Sequence, residues 1–355
     1  MVVEIDGSVL EGGGQILRSA IAFAAVLGQQ LIVDKIRAKR TTPGLRPQHL
    51  HGILAIKELT KAQVKGTHEG SKRIEFFPQK KQGGSLIVNI GTAGAISLVL
   101  QGLMIVAPFC KHPITAKLSG GTNVAWSPPI DYLKNVLLPR LEQMGFLGEI
   151  EISKRGYYPR GGGHVKTELS PIKKLQSLSL TNEKLLPIIT GISHCGSLPR
   201  HIAERQAGAA KNLLTETGHS VDIISIEHIQ NTHSPGSGIS LFAKNSPNRI
   251  IGADALGRRG LKAEKVGESA ARSLLDELAT HASVDQFQAD MLIPYIALAN
   301  GTSTITISKL TLHTITNIHI VEQFLDIKFE IQGKLGTRSK IKVKGIGFEG
   351  EVISQ

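Results

Sequence analysis

Three stretches of the chain share one pattern of apolar and polar positions. Apolar residues dominate from Gln15 to Leu27, from Ala95 to Val106 and from Gln286 to Ala299. Runs of that length and density predict mostly buried helices. Each is followed by a short turn and a β-branched run: Leu31–Ile36 after Gly28, Pro113–Leu118 closed by Gly120-Gly121, and Thr302–Leu310 after Asn300-Gly301. Such runs predict strands. The copies begin roughly 80 and 190 residues apart, which suggests duplicated α/β units with extra sequence before the third. The extra sequence has its own pattern. Ile188–Ser193 and Val221–Glu227 read as strands, Ile202–Leu214 and Glu264–Ala279 as helices, and Asn231–Gly238 as an exposed turn. The chain is therefore expected to be α/β (α+β). A large domain would comprise residues 1–181 and 281–355, and a smaller α/β domain, residues 182–280, would be inserted into it. After Leu325, Lys328–Ile331 and Lys340–Lys344 read as strands.

Composition changes this picture in two ways. Aromatics make up only 4% of the chain, so Leu, Ile, Val and Ala must fill the core. The formal net charge is +12, from 41 Lys and Arg against 29 Asp and Glu, a balance that favours a polyanionic partner such as nucleic acid. There is no RNA-recognition aromatic signature and no zinc-finger spacing, which leaves phosphates and a chain end as the features to grip. Cys110 and Cys195 stand far apart, so neither a disulfide framework nor a cysteine-rich zinc site is expected. Met1–Asp6 does not read as a signal peptide, and Ala95–Phe109 contains Gln101 and is too short for a membrane span. A cytoplasmic location with no membrane partner is expected, and the oligomeric state is left open.

Four segments carry candidate chemistry. Glu11-Gly12-Gly13-Gly14-Gln15-Ile16-Leu17-Arg18 sets a carboxylate before a helix start and an arginine about a turn inside. Glycines admit a ligand close to the backbone, and free helix N–H groups attract phosphate. Glu11 reads either as a divalent-metal ligand or as a surface charge, and Arg18 as an anion clamp. No GxxxxGK[ST] loop occurs. Arg37–His49 holds four cations and a histidine in what reads as a rigid loop turned by Pro43-Gly44 and Pro47. It is either a phosphate site or a solvated basic loop. Gln101 interrupts an apolar helix and must be hydrogen-bonded, in the core or by a ligand. Asp290, on one helix face with Phe287 and Met291, needs an arginine or a ligand-bound cation unless it caps the helix or faces solvent. His313 reads as the end of a β-rich run among hydroxyl and amide side chains, and is either a structural histidine or a catalytic one. As a nucleophile it would need a neutral ring, with one nitrogen held and the other aimed at an electrophile.

Seven ordered landmarks then fit one family. They are EGGGQILRS (Glu11–Ser19), IRAKRTTPGLRPQHL (Ile36–Leu50), GTAGAISLVLQ (Gly91–Gln101), GYYPRGGG (Gly156–Gly163), LPRHIAER (Leu198–Arg205), GADALGRRG (Gly252–Gly260) and LHTITN (Leu312–Asn317). End to end the chain resembles the RNA 3′-terminal phosphate cyclases. The resemblance implies a large domain of three repeated βαβαββ-type units, each like the C-terminal domain of a translation initiation factor, with a small inserted α/β domain. It also implies that ATP converts an RNA 3′-phosphate end to a 2′,3′-cyclic phosphodiester, releasing AMP and pyrophosphate. His313 would be the nucleophile that carries AMP. Glu11, with Mg²⁺ or Mn²⁺, and Arg18, Arg37, Arg40 and His49 would handle metal and phosphate. Gln101 and the segment Phe287, Gln288, Ala289, Asp290 and Met291 would contact ATP, and Phe76 and Pro128 would wall the adenine pocket. One departure is that many relatives have tyrosine followed by Leu-Ala-Asp-Gln where this chain has Phe287–Met291. The ring stays and the hydroxyl goes. Two other readings compete: a non-catalytic RNA-binding or ribosome-assembly relative, and a carboxyvinyl-transferase-like enzyme of similar repeated units.

Overall fold

A computed structural model describes residues 2–180, 187–245 and 249–350. Residues 2–77 run β1 (Val2–Asp6), α1 (Gly14–Leu27), β2 (Gln30–Asp34), α2 (Pro47–Thr60), β3 (Gln63–Lys65) and β4 (Ile74–Phe77), and their strands lie in the order β1-β2-β4-β3. Residues 84–170 run β5 (Gly84–Asn89), α3 (Ile96–Val106), β6 (Ile114–Gly120), the helical turns α4 (Ile130–Tyr132) and α5 (Leu138–Glu142), β7 (Leu147–Lys154) and β8 (Gly163–Ser170), in the order β5-β6-β8-β7. β9 (Ser179–Leu180) opens a third sheet. Before that sheet is completed, the chain makes β10 (Ile188–Gly196), α6 (His201–Glu216), β11 (Ser220–Ile229), β12 (Gly236–Asn245), β13 (Arg249–Leu256) and α7 (Ala263–Ala279). It then returns through α8 (Gln286–Leu298), β14 (Asn300–Ile307), α9 (Leu312–Phe324), β15 (Glu330–Gln332) and β16 (Ser339–Ile346), giving a sheet in the order β15-β16-β14-β9. In all three sheets the first two strands in sequence that belong to the sheet pair in parallel.

Local chemistry accounts for these elements. α1 is buried from Gln15 to Val26 with Arg18 as the exception, and Gly28 ends it at φ 68°, a left-handed conformation that glycine takes without a Cβ clash. In β2, Leu31 and Val33 are fully buried while Ile32 and Asp34 are half-buried, as alternation requires. Asp285 caps α8 by accepting from the N–H groups of Phe287 (3.0 Å) and Gln288 (2.8 Å). The helices α1, α3, α8 and α9 share one apolar core with the three sheets.

Three sequence expectations are corrected. Leu312–Phe324 is a helix, so His313 lies in the first turn of α9 and not at the end of a β run. Pro47–Thr60 is also a helix, so Arg37–His49 is a loop only as far as Arg46. Asn231–Gly238 is not wholly exposed: Ser234 and Ser237 are buried, and β12 starts at Gly236.

The sheet β11-β10-β12-β13 packs with α6 and α7 around a separate apolar cluster. A buried polar network ties it to β6–β8. Arg155 grips Asp131 with two nitrogens (2.6 and 2.8 Å) and reaches Glu227 on β11 (2.7 Å). Asn123 donates to Asp131 (3.2 Å) and to His194 Nε2 on β10 (3.2 Å), and Tyr157 pairs with His194 Nδ1 (2.9 Å). Burial pushes the Asp131 carboxyl up, but Arg155, His194 and the Asn123 amide together outweigh it and hold the carboxyl down at about 2, so the pair stays charged. Both cysteines are free and buried. Among the described residues no helix is long and apolar enough to cross a membrane.

Candidate active site

The first turns of three helices meet at His313. Thr311 caps α9 by accepting from the Thr314 N–H (3.1 Å), which fixes Leu312 and His313 as its first helical residues. The His313 Nδ1 contacts Gln15 Oε1, from the first turn of α1. Gln15 Nε2 donates to Asp290 Oδ2 (3.1 Å) and to the His313 carbonyl (3.3 Å). With its nitrogen committed to acceptors, Gln15 offers His313 only a carbonyl oxygen. Nδ1 therefore carries the proton and Nε2 keeps its lone pair. Nε2 faces Glu11 Oε1 at 4.0 Å, and half of the side chain is open to solvent. Burial, then the charges of Arg18 and Arg40, lower the imidazole below its usual 6.5. The ring is thus neutral near pH 7, with a free nitrogen at the mouth of a cationic site.

The glycines before α1 let charged groups close in. A Cβ at Gly13 would strike the Glu11 carboxylate and would lie 2.6 Å from Arg40 Nη2. A Cβ at Gly14 would strike His49 Nε2. The Glu11 carboxylate is 8% exposed and ion-paired with Arg40, yet neither oxygen accepts a hydrogen bond. Asp290 Oδ1 is also buried without a partner. Burial pushes the Asp290 carboxyl up to about 7, against the pull of Arg18, and pushes the Arg18 guanidinium down to about 10. His49 Nδ1 accepts from the Arg46 N–H (3.2 Å), so its Nε2 is the donor. Burial and four surrounding arginines lower this histidine to about 3. Beside Arg18 and His49, the helices α1, α2 and α3 leave a slot of about 30 Å³.

A family model described as RNA 3′-terminal phosphate cyclase matches residues 9–331. The chain belongs to this family. A protein of that name from Pyrococcus abyssi is 46% identical over 342 residues, covering 96% of this chain and 98% of the relative. Another from Pyrobaculum aerophilum is 45% identical over 348 residues, covering 98% and 99%. Among solved structures, an EPSP synthase from Acinetobacter baumannii covers 99% of this chain and 83% of its own, at 12% identity and a TM-score of 0.28. That likeness is too slight to support an argument.

The structure brings six of the fourteen residues that the cyclase resemblance marks close together. Glu11, Arg18, Arg40, His49, Asp290 and His313 surround one space. Arg37 is nearby, but its Nη1 donates to the carbonyls of Thr42 (2.6 Å) and Gly44 (2.8 Å), so part of its guanidinium shapes the loop. Gln101 is buried, and its Nε2 contacts Met291 Sδ at 3.6 Å, joining α3 to α8. The Phe287 ring is 52% exposed at the start of α8, open to stacking. Ala289 is fully buried core, and Pro128 is half-buried in the loop after β6.

Two assigned side chains are turned away from this space. Phe76 on β4 is 0% exposed, within the apolar core. Gln288 is also 0% exposed, and its side chain is committed to Arg140 (3.2 Å) and to the carbonyls of Val136 (3.3 Å) and Ile250 (3.5 Å). Sequence reasoning missed Gln15, which sets the His313 tautomer. A buried amide directly after three glycines, beside a proposed phosphate site, was the available signal.

Proposed function

We propose that the protein uses ATP to convert an RNA 3′-terminal phosphate into a 2′,3′-cyclic phosphodiester. The His313 Nε2 lone pair would attack the α-phosphorus of ATP. The bond to the bridging oxygen breaks, pyrophosphate leaves, and AMP is held on nitrogen. An oxygen of the RNA 3′-phosphate then attacks the same phosphorus and frees the histidine. Finally the vicinal 2′-hydroxyl attacks the activated 3′-phosphorus, and AMP leaves as the ring closes. A dianionic phosphate is a poor electrophile with oxide as its leaving group, and adenylylation gives it AMP instead. Closure is intramolecular, so effective molarity favours it.

One observation supports this reading above the rest: a neutral histidine with its Nδ1 held by Gln15 and its Nε2 bare among Arg18, Arg40 and His49. The arginines would neutralise phosphate charge as the pentavalent centre forms, and the His49 Nε2–H would donate to a phosphate oxygen. Asp290 Oδ1, buried without a partner, and the Glu11 carboxylate, ion-paired with Arg40, are the groups that would hold a divalent cation, which would neutralise phosphates when bound. Phe287 would stack on the adenine, with Pro128 and Gln101 bordering the nucleotide. We also read residues 2–77, 84–170 and the third sheet with α8 and α9 as copies of one βαβαββ unit, which their matching strand order supports. On this reading residues 182–280 are an inserted domain.

The test is turnover. With ATP and Mg²⁺ or Mn²⁺, an oligoribonucleotide 3′-phosphate should become resistant to phosphatase and release one AMP per end. The His313→Ala protein, folded by circular dichroism, should lose this activity by at least about 10³-fold. Tight RNA binding without turnover by the native protein would defeat the proposal.

A further inference from the structure

The three large-domain sheets turn a polar face to solvent, and those faces differ in charge. Strands β1–β4 carry Lys65 against Glu4, Asp6, Asp34 and Glu75. Strands β5–β8 carry Lys117, Lys154 and Lys166 against Glu149, Glu151 and Glu168. The third sheet is the exception. β16 sets Lys340, Lys342 and Lys344 on one side, all exposed, while Ile341 and Val343 face the core. Their register partners on β14 are Thr306, Thr304 and Thr302. Glu330, paired with Lys342 at 3.3 Å, is the one carboxylate on these strands. Lysines two residues apart on a strand repeat about every 6.8 Å, and hydroxyls lie between them.

The turn at one end of this face is tied to the segment that carries His313. The β15–β16 turn, which contains Lys334 and Arg338, is hydrogen-bonded to the segment leading into α9. The Leu310 N–H donates to the Thr337 carbonyl (2.9 Å), and the Gly336 N–H donates to the Leu310 carbonyl (2.8 Å). Leu310 is three residues before His313. Beside the turn, Thr304, Thr306, Gln332, Arg338 and Lys340 line an open cleft of about 420 Å³. Two arginines of the small unit are already held, Arg205 by Glu264 (2.6 and 2.8 Å) and Arg200 by Glu204 (2.8 Å).

We propose that the outer face of the β9-β14-β16-β15 sheet is a binding site for the phosphate backbone of the substrate RNA, upstream of the 3′ end held at His313. The inference rests on the function proposed above. Lysines supply charge, threonines donate to phosphate oxygens, and no aromatic ring on the face reads bases. Recognition there is therefore independent of sequence and strongly dependent on salt.

The test compares a 3′-phosphorylated RNA of about twenty nucleotides with a dinucleotide 3′-phosphate. Combining Lys340→Gln, Lys342→Gln and Lys344→Gln should raise KM for the long RNA by about tenfold or more and flatten its log–log salt slope by about 2 to 3. Turnover of the dinucleotide and labelling of the protein by ATP should not change, which also shows that the variant is folded. Glu330→Gln should act in the opposite direction and lower the long-RNA KM. An unchanged long-RNA KM would overturn the proposal and leave the face to an acidic protein. Equal losses on both substrates, or the same loss from Lys117→Gln with Lys166→Gln on the second sheet, would overturn it as well. If neither RNA is cyclised by the native protein, the functional reading has failed. Anisotropy of a labelled 3′-hydroxyl RNA then still measures binding at the face, and unaltered binding by the triple variant would refute it.

Discussion

At the scale of single residues, the proposed chemistry depends on which nitrogen of His313 holds the proton. Gln15 decides this because its own nitrogen is already spent on Asp290 and the His313 carbonyl. Gln15→Ala should lower the rate of adenylyl transfer to the protein by about a hundredfold, the scale set by losing alignment of a reacting atom. The pH profile follows from the lowered imidazole pKa. The lone pair is available above that value and is lost as pH falls through it. The acid limb of the labelling rate should therefore lie below pH 6.5 in the native protein. Removing a neighbouring cation with Arg18→Gln should move the limb upward towards 6.5, whatever it does to the maximum rate. A limb that stays put or moves down would contradict the electrostatic account. The stability term has the same sign: folding favours the neutral ring, a contribution complete above pH 6.5 and lost on acidification through the folded pKa.

At the scale of elements, the site is a meeting of the N-terminal turns of α1, α2 and α9, with α8 alongside. Their close approach needs the missing side chain at Gly14, where a Cβ would strike His49. Gly14→Ala should leave the unfolding free energy within about 1 kcal/mol, because alanine suits a helix. It should still cut labelling by tenfold or more, as phosphate contacts are pushed apart. Full activity in that variant would mean the approach is unnecessary. How legible each element was depended on what stabilises it. α1, α3 and α8 could be read because apolar residues fill nearly every position. α9 could not, because Thr314, Ile315, Thr316 and Ile318 are β-branched and favour strands intrinsically. Only its packing against α1 and α8, and the Thr311 cap, make it helical. The same ambiguity hid roles within elements. Neighbours on a helix point about 100° apart, so Phe287 is exposed while Gln288 is locked to Arg140, and nothing local distinguishes them. Phe76 looked like a ligand wall, but alternation along β4 turns it into the core.

At the scale of the whole molecule, the chain draws one site from its two ends. Glu11 contacts α9 through its N–H, which donates to Thr316 Oγ1 (3.4 Å), across 305 residues. Ser19 donates to Asn317 (2.6 Å), whose amide donates to the Asp290 carbonyl (2.6 Å). These contacts fix α1 to α9, so the elements that lie between β9 and α8 do not interrupt the site. The basic balance is also organised: part of it surrounds His313 and part forms the lysine face of the third sheet. The direct test is to incubate the native protein with ATP labelled at the α-phosphate and a divalent cation. An acid-labile label that maps to His313 and is discharged as RNA-linked AMP on adding a 3′-phosphorylated RNA is the predicted result. Label that persists in His313→Ala, or a native protein that turns over the RNA without ever carrying label, would contradict it.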